Sequence, residues 1–411
     1  MKSEWKTRKL ADLGEIVGGA TPSTKDEANY GGDIAWITPK DLSLLKGRFI
    51  ARGERNISEK GLSSCSAKMM PKNSVLFSSR APIGYVAISS GSVCTNQGFK
   101  SIVPNDNTDY MFLYYLLRYK KDAIEAMGSG TTFKEVSAST MRSVEVHVPA
   151  EKKEQERISS VLAAIDAKIE ANDRINDNLQ QQIQAVFKEW FVDSADAITW
   201  GKGTFSGLVE KTISGDWGKE APAGNNTEKV YCIRGADIPE VRAGNKGKMP
   251  TRYILPKNFA AKKLVAGDIV VEISGGSPTQ STGRSAPISD SLLKRYDCGM
   301  VCTNFCKAIK PKQGYSMFIY YYWQYLYDAG VFFRYESGTT GIKNLNITNF
   351  LETEEIRIPP VDVLQRFDSI CQANANMIYA NGLENERLAN LRDALIPKLM
   401  SGEMDVSTID I

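Results

Sequence analysis

The single histidine among 411 residues, His147, is the only place where Ser-His-Asp or Cys-His catalysis, or a His-rich metal site, could be built. It sits in VEVHVP, whose strict alternation predicts a strand, so a strand histidine is the simpler expectation. Cys298, Cys302 and Cys306 are evenly spaced by four, unlike the C-x2-C knuckle of zinc sites, and read as core thiols. Adenine methylation uses an Asn/Asp-Pro-Pro-aromatic motif. The lone Pro-Pro, in IPPVD at 358–362, has neither the leading Asn or Asp nor the aromatic. GEIVGG at 14–19 reads as a strand, not as a glycine loop opening a helix around a phosphate. No acidic cluster recurs at matching places to hold a nuclease metal. Neither catalysis nor a metal or cofactor site is expected, and the chemistry left is non-covalent recognition.

The elements that would position such recognition are written twice. SGTT at 129–132 returns at 337–340, an offset of 208, each followed within three residues by a lysine, Lys134 and Lys343. VCTNQGFKSIVP (93–104) returns as VCTNFCKAIKP (301–311), and YMFLYYLLRY (110–119) as SMFIYYYWQY (316–325). EVHVPAEKKEQERI (145–158) returns as EIRIPPVDVLQRF (355–367), and WITPKDL (36–42) more faintly as CIRGADI (232–238). The order never changes, and the offset drifts only as loop insertions would make it drift. The chain is a tandem duplication of a unit of roughly 200 residues. On the VCTN match, Thr95-Asn96 and Thr303-Asn304 are expected to be a structural turn or a shared backbone contact kept in both copies, not base readers.

Each unit has two parts. The first mixes short β-rich runs with Gly, Pro and Ser turns and holds one aromatic-rich amphipathic helix, over 109–125 and 315–330. Tyr320-Tyr321-Tyr322-Trp323 on that helix is expected to pack in a core. The second part, from residue 151 to about 192, has no Pro or Gly and keeps a heptad seam of Ile158, Leu162, Ile165, Ile169, Asn172, Asn176, Leu179 and Ile183. The second copy supplies Phe367, Ile370, Asn374, Met377, Asn381, Leu388, Leu391 and Leu395. About 40 residues at 1.5 Å each make a rod of about 60 Å, too long for one small domain to cover. The seams are therefore expected to pair, with the asparagines fixing register.

The fold class expected is α/β (α+β), a pseudo-twofold internal repeat of two tandem globular domains separated by two long helices in an antiparallel coiled coil. The boundaries are 1–150, 151–195, 196–360 and 361–411. Net charge is +5 for residues 1–150 and +5 for 196–360, against −3 for 151–195 and −4 for 361–411. Two basic units joined by acidic rods suit a polyanion contacted at two places. No apolar run approaches the roughly 18 residues a membrane helix needs, the start lacks a signal-peptide core, and seven scattered cysteines suit a reducing cytoplasm.

These residues resemble the specificity subunits of type I restriction–modification enzymes. The signature is SGTT, then hydrophobic-x-hydrophobic-Pro, then E-Q-x-x-I and a long helix. It reads 129–132, Val146-His147-Val148-Pro149 and Glu154-Gln155-Glu156-Arg157-Ile158, then 337–340, Ile356-Arg357-Ile358-Pro359-Pro360 and Leu364-Gln365-Arg366-Phe367. VLFSSRAPIGYVAI (75–88) and LIPKLMSGEMDVS (395–407) are similar to the family too, so the resemblance spans nearly the whole chain. It implies two target recognition domains, each binding one half of a bipartite, non-palindromic double-stranded DNA target. It also implies a helical spacer that docks two methyltransferase subunits, restriction subunits joining when present, and no chemistry in this chain.

Base readout needs Arg or Lys for guanine and Asn or Gln for adenine, and phosphate contacts use Lys, Arg, Ser or Thr. The first unit offers Thr38, Lys40, Ser79, Arg80, Asn96, Gln97 and Lys134, and the second Arg234, Gln280, Arg284, Asn304, Lys343 and Asn344. Residues identical in both halves, SGTT included, cannot distinguish two different half-sites. SSRAPIG (78–84) stands against the longer ISGGSPTQSTGRSAPI (273–288), so contacts of one unit are not carried to the other. A self-contained DNA methyltransferase and a helical scaffold with no DNA role are the rival readings.

Overall fold

The computed structural model describes residues 4–80, 82–130, 134–277, 279–338 and 342–406. The threonines of both SGTT copies, Thr131, Thr132, Thr339 and Thr340, lie outside the described residues. The fold is mixed α/β, and its contacts group into two units. One is Met1–Glu170 with Leu388–Ile411, the other Ala171–Arg387. Each takes part of both long helices, Lys152–Lys188 and Val361–Met400.

The first unit is built on a five-stranded sheet in the order Gly14–Gly18, Lys100–Pro104, Val75–Ser79, Ile83–Ser89, Phe49–Ile50. Strand neighbours are antiparallel except the last pair. The aromatic-rich helix runs Tyr110–Ala126, capped by Asp109, whose Oδ1 accepts from the Phe112 N–H at 2.7 Å. It buries Phe112, Leu113, Tyr115, Leu116 and Leu117 in a core shared with Ile158 and Leu162 of the first long helix and Ile396 and Leu399 of the second. His147 lies on the strand Glu145–Pro149 and stacks on Trp5 across the sheet, centroids 5.4 Å apart.

The second unit repeats this plan without the edge strand. Its order is Val209–Ser214, Cys306–Pro311, Ile269–Glu272, Ser285–Pro287. The helix Ser316–Asp328 buries Phe318, Ile319 and Trp323, and the Trp323 indole N–H donates to the Gly283 carbonyl at 2.6 Å. Tyr320 and Tyr321 are buried with them. Here the long helices pair antiparallel. Asn172 donates to Asn385 at 2.9 Å, Asn381 donates to Asn176 at 2.8 Å, and Phe187 meets Phe367 with centroids 5.9 Å apart. The Asn176 amide also donates to the Ile378 carbonyl at 3.1 Å. Each buried amide thus has a partner in one register only.

Along the first long helix Ile158, Leu162, Asn172, Asn176 and Ile183 are buried, while Ile165, Ile169 and Leu179 are half-buried. The second helix departs from the expected seam. Phe367 is buried and Ile370, Asn374, Asn381, Leu388 and Leu395 are half-buried, but Met377 and Leu391 are 51% and 49% exposed. The buried stripe runs one residue later, through Cys371, Ile378, Asn385, Ile396 and Leu399. Gly382 explains the shift, because a Cβ there would lie 1.9 Å from the Gly244 carbonyl oxygen. That backbone approach fixes which face turns inward, overriding the larger apolar side chains one step away.

All seven cysteines are free thiols. Burial pushes Cys94, Cys232 and Cys306 up to about 12, so they stay protonated and pack as small apolar groups. Among the described residues no group of His, Cys, Asp or Glu is arranged to hold a metal ion, and no helix is long and apolar enough to cross a membrane.

Candidate nucleic-acid interface

Three loops of the first unit meet in one narrow ribbon. The Ser79 N–H donates to the Gly98 carbonyl at 2.7 Å, and the Val136 N–H donates to the Ser79 carbonyl at 3.0 Å. Ser129 and Glu135 exchange both backbone bonds, at 3.1 and 2.9 Å, and Arg80 bridges Glu135. The second unit lays down the same four segments in the same order. The Ile273 N–H donates to the Phe305 carbonyl at 2.9 Å, the Leu345 N–H donates to the Ile273 carbonyl at 2.8 Å, and Ser337 pairs with Asn344. Ser274 pairs with Asn344 as Arg80 does with Glu135.

The pairing fixes which residues correspond. Ser129 matches Ser337, Lys134 matches Lys343, Glu135 matches Asn344, and Arg80 matches Ser274. The repeated VCTN, however, misleads by one position. Ile37 pairs with Thr95, but the equivalent Ile233 pairs with Cys302. Asn96 therefore corresponds to Thr303, Gln97 to Asn304 and Gly98 to Phe305. The identical letters therefore occupy successive stations, and the two Thr-Asn pairs are not one shared turn. What the SGTT copies do share is a backbone. Gly130 and Gly338 adopt φ of 128° and 131°, a region that side chains rarely enter. A backbone requirement accounts for the retained glycine.

The expected contact residues divide by what already holds them. Thr38 gives both its N–H and its hydroxyl to Asp41, at 2.7 and 2.6 Å, capping the short helix Pro39–Leu44. Arg234 forks onto Asp237 at 2.9 and 3.1 Å, and Arg284 onto the buried Glu272 at 2.8 and 2.6 Å. These three are occupied within their own unit. Lys40 pairs with Glu54 on the exposed surface, and that carboxylate raises the lysine's pKa. Arg80 lies 3.5 Å from Glu135, which also holds Lys100 at 3.2 Å. Lys343 lies 3.0 Å from Glu336 and its ammonium 4.7 Å from the Phe333 ring centre. Ser79 is buried in the ribbon, and the Asn96 side chain caps the Gly98 N–H at 2.9 Å. Gln97, Lys134, Gln280, Asn304 and Asn344 are exposed. Gln97 accepts from the Thr21 hydroxyl, and Asn344 from the Ser274 hydroxyl at 2.7 Å.

The ribbons bring Ser79, Arg80, Gln97 and Lys134 together in one unit, and Asn304, Lys343 and Asn344 in the other. Exposed amides at equivalent stations, Gln97 and Asn304, are the side chains suited to an adenine edge. Sequence reasoning missed the acids that set the cations. Glu336, directly before the second SGTT, accepts from the Thr282 N–H, from the Thr282 hydroxyl at 2.8 Å and from Lys343. It ties the Gly/Ser-rich loop to the SGTT hairpin. Glu336→Ala leaves a buried N–H, a hydroxyl and an ammonium without their acceptor and is expected to lower stability by about 2 kcal/mol. Chemical denaturation of the variant, with Glu336→Gln as the milder control, measures it.

Comparison with known proteins gives a consistent result. A family model for the type I restriction modification DNA specificity domain matches residues 2–181. The chain is similar to the MjaIX type I restriction enzyme specificity subunit of Methanocaldococcus jannaschii, at 32% identity over 423 positions, 99% of this chain and 95% of that protein. It is also similar to the EcoR124I/EcoR124II specificity subunit of Escherichia coli, at 29% identity over 40% of this chain and 41% of that one. Among solved structures, the type I restriction–modification S subunit of M. genitalium shares the fold, with a TM-score of 0.54 at 16% identity, covering 97% of this chain and 96% of that chain.

Proposed function

This chain belongs to the type I restriction–modification specificity subunits, and from that premise we propose how it divides the work. Each recognition region (1–150 and 196–360) binds one half of a bipartite, non-palindromic DNA duplex. The helical segments (151–195 and 361–411) form the spacer that docks methyltransferase subunits, two per chain, with restriction subunits joining that core in the cytoplasm. The chain supplies recognition and no catalysis.

The observation that carries this reading is the duplicated ribbon. One backbone scaffold occurs in both units with different side chains at matching stations. The Arg80–Glu135 pair of the first unit is replaced by the Ser274–Asn344 hydrogen bond in the second. That is the pattern expected of two readers sharing one design but not one half-site. The basic charge of both regions supplies the attraction to phosphates.

The test is to express the chain with its methyltransferase partner and map the methylated sites. A two-part recognition sequence, with methylation lost when either half is scrambled, is the expected result. Methyl transfer by the purified chain alone would return the reading to a self-contained enzyme. Raising salt from 50 to 200 mM is expected to weaken target binding at least about tenfold. A flat salt response would contradict phosphate contact by the basic regions.

A further inference from the structure

One matched station of the ribbon carries no side chain in the first unit, Gly98, and a large aromatic one in the second, Phe305. A Cβ at Gly98 would lie 3.0 Å from Asn96 Oδ1 and 3.1 Å from Pro39 Cγ, so the first unit has little room for a side chain there. In the second unit the same backbone station, fixed by the donated Ile273 N–H, carries a phenylalanine 60% exposed. Its carbonyl also accepts from the Ser274 N–H at 3.2 Å. The ring is therefore set beside Asn304 and along the ribbon from Ser274 and Asn344. A large apolar ring left in water at a rigid, hydrogen-bonded position contributes little to its own domain's core. The exposed amides Asn304 and Asn344 lie on the same ribbon, and residues 196–360 carry a net charge of +5, which suits a polyanionic partner.

In the major groove one base-pair feature is apolar, the C5-methyl of thymine, and a phenylalanine is among the side chains that pack on it. We propose that Phe305 is a specificity-determining residue of the second recognition region, packing on a thymine methyl beside the base pair read by Asn304. The inference rests on the DNA-recognition function proposed above and adds the chemical feature read. Gly98 cannot make the equivalent contact, so the first half-site is read without it.

The test uses the full chain in complex with its methyltransferase and a duplex carrying the mapped target. Each thymine of both half-sites is replaced in turn by uracil, which removes only the methyl group. One replacement in the second half-site is expected to weaken wild-type binding about fourfold to tenfold, and none in the first to act through Phe305. Phe305→Ala is expected to bind the intact target about tenfold less tightly and to lose that uracil penalty. Since the side chain is exposed, the variant should keep the wild-type circular dichroism and the same affinity for non-specific DNA. A Phe305→Ala complex that keeps the uracil penalty, or a wild type that shows none, overturns the assignment while the bipartite target still stands. A complex with no preferred target overturns the recognition function itself.

Discussion

Phe187→Ala lowers the stability of the second unit by about 3–5 kcal/mol, the range for emptying a buried aromatic site. Phe187 is 1% exposed and comes from the first long helix. Its ring meets Phe191 at 5.1 Å, Tyr322 at 5.5 Å, Phe367 at 5.9 Å and Phe318 at 6.2 Å between centroids. One side chain thus ties the first long helix to the second and to the aromatic helix of the recognition region. Removing it leaves a cavity that three elements would have to close together, and close-packed rings do not collapse freely. Trp190, Trp200, Trp217 and Trp323 all lie in this unit, against Trp5 and Trp36 in the other, so tryptophan emission during urea unfolding reports mainly on it. The expected result is a transition at lower denaturant for the fluorescence of this unit.

Met377→Asp provides the contrast. A heptad drawn through the apolar letters of the second helix makes Met377 a seam residue, and an aspartate there should then be as damaging as at Phe187. With 51% of Met377 exposed, the expected change is within about 0.5 kcal/mol. Phe187→Ala without a loss of that size would contradict the packing, and a disruptive Met377→Asp would restore the other register.

The same contrast marks what the letters could and could not carry. The first helix was legible because its apolar residues and asparagines keep one period from Ile158 to Ile183. The second carries Gly382 on its contact face, and a pattern read from apolar residues passes over a glycine that turns the helix by its own absence of a side chain. The repeat was visible in SGTT because Gly130 and Gly338 hold a conformation that selects the residue. The VCTN repeat was equally visible but out of step, since identity of letters does not report which carbonyl an N–H meets. Side-chain chemistry alone marks the candidate contacts, and several of them are matched with acids. Thr38, Arg234 and Arg284 find Asp41, Asp237 and Glu272 at separations of three, three and twelve residues. Spacing alone is enough to flag the first two, since both carboxylates lie three residues on, at the N3 position of a capping box. Phe305 escaped because an aromatic in a loop carries no periodic signal.

Asp166→Ala is expected to cost the first unit about 3–5 kcal/mol, because it leaves the buried Tyr115 hydroxyl without its acceptor and Arg392 with only the exposed Asp393 as counter-charge. Asp166 is on the first long helix, its side chain 6% exposed. It accepts from Arg392 Nη1 of the second helix at 2.7 Å and from the Tyr115 hydroxyl of the recognition region at 2.6 Å, with Arg118 at 3.9 Å. Burial, reinforced by the neighbouring carboxylate, pushes the Tyr115 phenol well above its ordinary range, so it remains a proton donor at any physiological pH. The opposing terms can be separated. Removing the acid alone leaves the Arg392 guanidinium, at 16% exposure, with only the largely exposed Asp393, which accepts from its Nε at 2.9 Å, whereas replacing both Asp166 and Arg392 with apolar residues of similar volume removes the desolvation cost with the attraction. Asp166→Leu with Arg392→Met is therefore expected to recover most of the loss, within about 1–2 kcal/mol of wild type. A double-mutant cycle by chemical denaturation measures the coupling directly, and two single losses that simply add would show that the pair does not act as a unit. If the stability returns while methyltransferase assembly does not, the buried charge serves to fix how the recognition region seats on the helices of its own unit, and stability is the lesser part of its role.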